Sequence, residues 1–386
     1  MIALTADRLF TPLTEIESPL VLIEDDRIVE ITSSAARAIP SSLRHIDWSG
    51  SVLAPGFLDI HIHGGGGHDV MQADSAGLSA VAALLARHGV CGYFPTTVTA
   101  PDEATLRALD SLATAIERAA DNQEPAGARP LGIHLEGPFL SHARRGVHPP
   151  EDLAPPTLQR FERFWNAARG QIRMMTIAPE LPGALDVIAE AARRGVCVSL
   201  GHSDADFGAT MRGLNAGARH ATHTFNAMRP LGHRDPGILG AVLTDSRVTA
   251  DIIADGIHLD PAIVRLFLKM KGAEQSVLIT DAISATGMPD GRYRLGLLEV
   301  EVKDGRCTSN GSLAGSVLTM DRAVRNVMAF AGWSLANAVR LATENPALAA
   351  GLGDNAGRLV PGAVADIVAL SPQGEVRQTI LRGRMA

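Results

Sequence analysis

Polar and apolar positions along this chain fall into short apolar runs separated by longer amphipathic stretches. Eight runs read as buried strands from their length and flanking turns: residues 56–63, 92–97, 131–136, 172–178, 196–202, 219–224, 248–255 and 276–281. Ala/Leu-rich helical patterns lie between them. Ser75–His88 stops at Gly89, Pro101–Ala120 shares its composition, Pro182–Arg194 stops at Gly195, and Pro261–Lys271 stops at Gly272. Strand and helix alternating eight times predict an α/β fold, a closed parallel (β/α)8 barrel of the TIM type. Residues 55–354 accommodate that barrel with insertions. The two ends read differently. Leu20–Glu24, Arg27–Ile31, Ala365–Leu370 and Val376–Leu381 are short β-like runs with no crossover helix. Residues 1–54 and 355–386 are therefore expected to meet in one small β-sandwich domain.

Charge and cysteine usage narrow the class. The net charge of -7 and the lack of a Lys/Arg cluster argue against nucleic acid and membrane surfaces as partners. Met1–Arg8 has no basic segment leading into an apolar stretch, and no apolar run is long enough to span a bilayer. A cytoplasmic protein is expected. Cys91, Cys197 and Cys307 are odd in number and far apart, which points to free thiols.

Polar residues gather where the barrel strands end, the face on which barrel enzymes carry their chemistry. His61 and His63 are two apart on a strand and point to the same side, which suits a divalent metal such as zinc. Glu136 ends the third strand and offers a carboxylate that can ligate or bridge metals. His134 faces the same way one layer deeper and reads as a packed core histidine. His202 and His223 end the fifth and sixth strands. Either alone reads as structural; together with His61, His63 and Glu136 they read as a metal set. His220, three residues before His223, faces the other way and is rejected as a ligand. Asp281 ends the eighth strand, where a carboxylate can take a proton from water and deliver it to a leaving amine. The Gly64–Gly67 run lacks the Lys-Ser/Thr of a phosphate loop and reads as a turn.

These motifs together resemble the N-acetylglucosamine-6-phosphate deacetylases of the amidohydrolase superfamily. The blocks that carry the resemblance are Pro55–Gly64, His134–Phe139, Gly201–Ser203, Thr222–Met228, His233–Gly237, Asp255–His258, Thr280–Ala282, Gly311–Ser316 and Thr343–Ala347. The resemblance implies that Glu136, His202 and His223 hold the principal metal and that Asp281 is the catalytic acid/base. It implies that His148 contacts substrate near its acetyl group. It places Val147, Asn226, Ala227, Arg234, Asp255 and His258 in the binding of the sugar phosphate. Leu313, Ala314 and Gly315 resemble a loop that closes over the acetyl end. Some members replace the His-x-His pair with amide residues and use one metal. This chain keeps both histidines, so one or two ions are expected, zinc first and Fe(II) as the alternative. Pro149 stands where relatives commonly carry Asn.

The implied reaction is hydrolysis of N-acetyl-D-glucosamine 6-phosphate to D-glucosamine 6-phosphate and acetate, by a homodimer in which the loop of Arg234 reaches the neighbouring site. The 4-epimer, N-acetylgalactosamine 6-phosphate, is the alternative substrate. A cyclic-amide hydrolase is disfavoured, because such enzymes usually carry a modified Lys on the fourth strand and Arg173–Ala178 has none. An inactive scaffold barrel needs neither Glu136 nor Asp281.

Overall fold

The structure, a computed structural model, describes residues 1–39, 41–120 and 127–386. Its centre is the expected barrel. The first barrel strand, Phe57–Ile62, pairs with the second, Val90–Thr97. Parallel pairing then runs through Ile133–Glu136, Ile172–Ile177, Cys197–Leu200, His220–Ala221, Thr249–Ile252 and Ser276–Leu278. Among the described residues, one parallel bridge, Ile62 to Ala282, brings the last strand back to the first. The last four strands are shorter than their apolar runs, a difference that matters for the site.

Helices Ser75–Arg87, Asp102–Ala120, Ala184–Arg193 and Pro261–Gln275 correspond to the four helical patterns. Asp74 caps the first by accepting from the Gly77 amide at 2.9 Å. Gly89 (φ 84°) and Gly195 (φ 81°) take the left-handed conformation beyond the helix ends, where a side chain is disfavoured. Gly272 (φ 68°) kinks its helix instead of ending it. Helices Leu158–Ala167, Phe207–Ala216, Gly237–Thr244 and Met320–Ala331 have no counterpart in the sequence reading. Gly237–Thr244 is buried from Gly237 through Leu243 and so has no amphipathic period to read. One apolar core joins strand residues such as Leu135, Met175 and Val277 to Leu109, Val187 and Phe267 of the helices.

Both termini build a second, eight-stranded sheet, the expected small β-sandwich. Arg44–Pro55 lies at its middle, parallel to Ile2–Phe10 and antiparallel to Ile367–Leu370. It has its own apolar core, with Leu4, Leu9, Val21, Ile23, Leu53, Ile367 and Ile380. A third sheet is an insertion after the eighth barrel strand. Gly291–Leu295, Leu298–Lys303, Arg306–Ser309 and Ser312–Leu313 pair antiparallel. Leu295, Val300, Val302 and Cys307 of this sheet pack on Val98, Ile283, Ala285 and Ala314. The tip at Gly296 is clamped, its amide donating to Asp69 at 2.6 Å and its carbonyl accepting from Gln72 at 2.5 Å. The three cysteines are free thiols, Cys91 and Cys307 being buried.

The chain passes from terminal sheet to barrel at Gly56, whose amide donates to the Asp366 carbonyl at 3.0 Å. A Cβ at this position would lie 2.0 Å from Sγ of Cys91 and 2.7 Å from its Cβ. Gly56→Ala is therefore expected to destabilise the fold by about 1–3 kcal/mol, the usual cost of overpacking a filled core. Adding Cys91→Ala, which removes the nearer atom, should restore part of the loss in thermal denaturation. No recovery in the double variant would show that Cys91 is not the obstacle.

Candidate metal-dependent active site

His61 lies in the first barrel strand, His63 follows it, and Glu136 is the last residue of the third. His202, His223 and Asp281 lie two or three residues beyond their strands, which end at Leu200, Ala221 and Leu278. All three have positive φ, at 47°, 28° and 51°, as do nearby Phe225 at 80° and Ala227 at 50°. Non-glycine residues seldom adopt this conformation, and it persists only where surrounding contacts hold it. The left-handed turns take the chain off each strand and bring the three side chains together over the barrel mouth.

Glu136 sits between two histidine pairs and turns one oxygen to each. Its Oε2 is 3.4 Å from Nε2 of both His61 and His63. Its Oε1 is 3.3 Å from Nε2 of His202 and 3.2 Å from Nε2 of His223. Asp281 Oδ1 is 3.0 Å from His63 Nε2 and 3.6 Å from His61 Nε2. All six residues are buried. The Nε2 atoms of His61 and His63 are 3.2 Å apart, and those of His202 and His223 are 3.0 Å apart.

This donor set fits a divalent cation on two counts. Nδ1–H of His63 donates to the Thr96 carbonyl and Nδ1–H of His202 to the Arg144 carbonyl, each at 3.0 Å. Each bond fixes the neutral tautomer that turns an Nε2 lone pair inward, as metal-bound histidines do. Facing lone pairs at such distances need a proton or a cation between them. The electrostatics agree. Burial alone would lower the pKa of His63, yet Asp281 and Glu136 outweigh it and raise it to about 10. His223, also opposed by burial, is raised to about 9 chiefly by Glu136. Burial opposes ionisation of Glu136, but His61, His202 and His223 hold it well below the usual carboxylate range. Asp281 is lowered against burial by its hydrogen bond to His63. Without a cation, the site retains protons to supply the missing positive charge.

Among the described residues, two groups of three each bring their donor atoms within 4.8 Å of one another: His61, His63 and Asp281, and Glu136, His148 and His202. In the second, His223 is the better third member. Its Nε2 is 3.2 Å from Glu136, whereas Nε2 of His148 is 3.8 Å away. The Thr99 amide donates to Nδ1 of His148 at 3.3 Å and the Thr99 hydroxyl lies 2.8 Å from it. Nδ1 is thus an acceptor, and neutral His148 carries its proton on Nε2. Burial and the neighbouring His202 lower its pKa to about 3, so it is neutral near pH 7.

The amidohydrolase family model matches residues 52–386. The N-acetylglucosamine-6-phosphate deacetylase of Lysinibacillus sphaericus is 37% identical over 369 residues, covering 95% of this chain and 92% of that protein. The N-acetylgalactosamine-6-phosphate deacetylase of Escherichia coli O157:H7 is 38% identical, covering 93% and 94%. Among solved structures, a mutant N-acetyl-D-glucosamine-6-phosphate deacetylase from Mycobacterium smegmatis in complex with N-acetyl-D-glucosamine-6-phosphate superposes with a TM-score of 0.92 at 37% identity, covering 100% of this chain and 98% of that one. The chain belongs to the amidohydrolase family.

In this amidohydrolase, a cavity of about 180 Å³ opens over the donors, and Val147, His148, Asn226, Ala227, His258, Leu313 and Gly315 line it. Larger cavities, of about 200, 510 and 600 Å³, lie near the terminal sheet, and among the described residues their linings hold no comparable convergence of donors. Asp255 stands behind the lining, accepting from Nδ1 of His258 at 2.7 Å. Ala314 is buried beneath the loop, in the core of the inserted sheet. Arg234 is exposed and does not line this chain's cavity. His134 meets His61 edge to face, with ring centroids 4.6 Å apart, and bonds to Thr176 at 2.8 Å, the packed histidine expected. His220 bonds at 2.9 Å to Asp251, whose other oxygen accepts from the His223 amide, and it belongs to neither donor group. Gly64–Gly65 and His68–Asp69 form a small hairpin. Sequence reasoning missed Thr99, which sets the His148 tautomer, and the cavity residues Val98 and Leu295. The only sequence signal for Thr99 was a cluster of threonines, Thr96, Thr97 and Thr99, at a strand end.

The raised histidines give a pH signature. His63 and His223 lie above the ordinary 6.5 in the folded chain. Their contribution to stability is complete below pH 6.5 and is lost as pH rises through about 9 to 10. A cation must displace these protons, so it binds better at higher pH. The gain in Tm on adding zinc to chelator-stripped protein should be larger at pH 8.5 than at 6.5. A gain that is flat or shrinks with pH would contradict the protonated, cation-seeking site.

Proposed function

We propose that this chain hydrolyses N-acetyl-D-glucosamine 6-phosphate to D-glucosamine 6-phosphate and acetate, in amino-sugar catabolism. The observation that carries the reading is Glu136 shared between two buried histidine pairs with Asp281 beside it. The deacetylases similar over nearly the whole chain supply the substrate. Glu136, His202 and His223 hold the principal ion, zinc first or Fe(II), and His61 and His63 hold a second where two are bound. A cation there supplies Lewis acidity toward the acetyl carbonyl and toward water. Asp281, ionised, accepts a proton as water adds to the acetyl carbon. Nε2–H of His148 donates to the carbonyl oxygen as negative charge grows on it. The C–N bond then breaks as Asp281 returns the proton to the amine nitrogen. Asn226, Ala227, Val147 and His258, the last oriented by Asp255, bind the sugar phosphate. Leu313, Ala314 and Gly315 close the acetyl end.

The division into a β-domain of residues 1–54 and 355–386 and a barrel of residues 55–354 belongs to this reading; the separate apolar cores support it. So does a cytoplasmic location. Among the described residues, no helix is long and apolar enough to cross a membrane. The deciding assay measures acetate release from both hexosamine 6-phosphates, with zinc, iron or no metal. The Escherichia coli relative, at 38% identity, makes the galacto epimer the second reading. No release from either would overturn the proposal.

Asp281→Asn should lower kcat at least ~100-fold, the range for losing a general acid/base, with a far smaller change in KM. A change confined to KM would make Asp281 a binding residue.

Arg234 is proposed to complete the partner's site in a homodimer, since a phosphate dianion calls for a planar, fixed cation. Arg234→Ala should weaken phosphorylated substrates by roughly 1.5–3 kcal/mol and leave the unphosphorylated N-acetyl sugar almost unaffected. Mixing Arg234→Ala chains with Asp281→Asn chains should restore activity, because each mixed dimer regains one intact site. Demonstrated subunit exchange without recovery would reject the shared site.

A further inference from the structure

We propose that Asp59, Thr280 and Ser316 form a positioning cradle that holds Asp281 at the seam of the barrel. The inference rests on the reading of Asp281 as the group that moves the proton, and it concerns residues that reading leaves without a role.

The seam is where the barrel is least regularly bonded. The first and eighth strands share no ladder; among the described residues, the Ile62–Ala282 bridge joins them. Asp281 lies at this join in a left-handed conformation, with φ 51°. Its amide donates to the His61 carbonyl at 2.9 Å, and its own carbonyl accepts from the Ser316 amide at 2.8 Å. The position of the catalytic carboxylate therefore depends on what fixes its two neighbours, Thr280 and Ala282.

Asp59 is fully buried, Thr280 is 1% exposed and Ser316 is 2% exposed. The Thr280 hydroxyl donates to Asp59 Oδ2 at 2.6 Å, and the Thr280 amide donates to Oδ1 at 3.3 Å. Oδ1 also accepts from the His61 amide at 3.4 Å. The same Thr280 hydroxyl accepts from the Ala282 amide at 3.2 Å. From the other side, the Ser316 hydroxyl donates to the Thr280 carbonyl at 2.6 Å. One carboxylate on the first strand thus replaces the missing ladder, and one serine closes the frame around Asp281.

The chemistry explains a carboxylate here. Asp59 accepts three hydrogen bonds and donates none, as an ionised carboxylate does. An amide would turn an NH2 group against one of these donors. A buried carboxylate is costly unless it is well bonded. Among the described residues, no Lys, Arg or His side chain forms an ion pair or hydrogen bond with Asp59. Its bonds all come from neutral groups of the two strand ends that carry His61 and Asp281.

The test places Asp59→Asn, Thr280→Val and Ser316→Ala in the parent and in Asp281→Asn. In the parent, each should lower kcat tenfold or more, with KM within about threefold and zinc content unchanged. In the Asp281→Asn background, each should cost less than a further twofold, because the cradle has no acid/base left to place. Equal losses in both backgrounds, zinc loss in proportion to activity, or parent-background rates within twofold of the parent would each overturn the proposal. Thr280→Val is nearly isosteric, so the question survives if Asp59→Asn does not fold. Crystal structures of the variants provide a readout that needs no substrate. Asp281 should leave its left-handed conformation and its contact with His63; an undisturbed Asp281 overturns the cradle. A parent inactive on both hexosamine phosphates would instead refute the function, with the crystallographic test of the cradle still standing.

Discussion

Four imidazole nitrogens face one another in two pairs across a single buried carboxylate, and much of the rest of the molecule can be understood from that confrontation. Lone pairs 3.0–3.2 Å apart repel unless a proton or a cation lies between them. Burial denies them water, and Glu136 with Asp281 adds negative charge. Such a cluster is unfavourable as pure packing and becomes favourable around a cation. The barrel supplies the rigidity to hold it. Strand ends on a closed sheet cannot drift apart as loops can, and the carbonyls of Thr96 and Arg144 keep two of the rings from turning over.

The same constraint explains the strained backbone. His202, His223 and Asp281 leave the strand conformation two or three residues beyond the ladder. Had the strands continued, side chains at these positions would stand across the sheet, alternating between its two faces. A left-handed turn costs of order 1–3 kcal/mol per residue. The surrounding hydrogen bonds, of which those at Thr280 and Ser316 are one set, make that conformation the one the fold retains.

Much of this was legible in the sequence. The barrel strands show as apolar runs bounded by Gly and Pro, and His61, His63, Glu136, His202, His223 and Asp281 show because they interrupt those runs at one end. The two-faced use of Glu136 was not legible, since spacing says nothing about which oxygen meets which pair. Nor were the strand limits, because apolar character continues through the turns after Leu200, Ala221 and Leu278. Gly237–Thr244 is uniformly apolar and shows no helical period. The inserted sheet did carry a signal. Leu298–Lys303 alternates strictly and runs into Asp304-Gly305, a favoured hairpin turn, and both turn residues have positive φ. The regular beat of strand and helix around it concealed that hairpin. Asp59 was legible only as another residue of a strand.

The terminal sheet has a consequence for how the chain is made. Its middle strand, Arg44–Pro55, finds its parallel neighbour in Ile2–Phe10 at once, but its antiparallel neighbour, Ile367–Leu370, belongs to the far end of the chain. On the ribosome, the edge bearing Val52, Leu53 and Ala54 stays unpaired while the whole barrel is synthesised, roughly 15–60 s at ordinary elongation rates. An open apolar edge of that duration is an invitation to a chaperone or to a neighbouring nascent chain. Closure of this sheet therefore waits until residues 367–370 are made, after the whole barrel, and these late strands then cover one of the first.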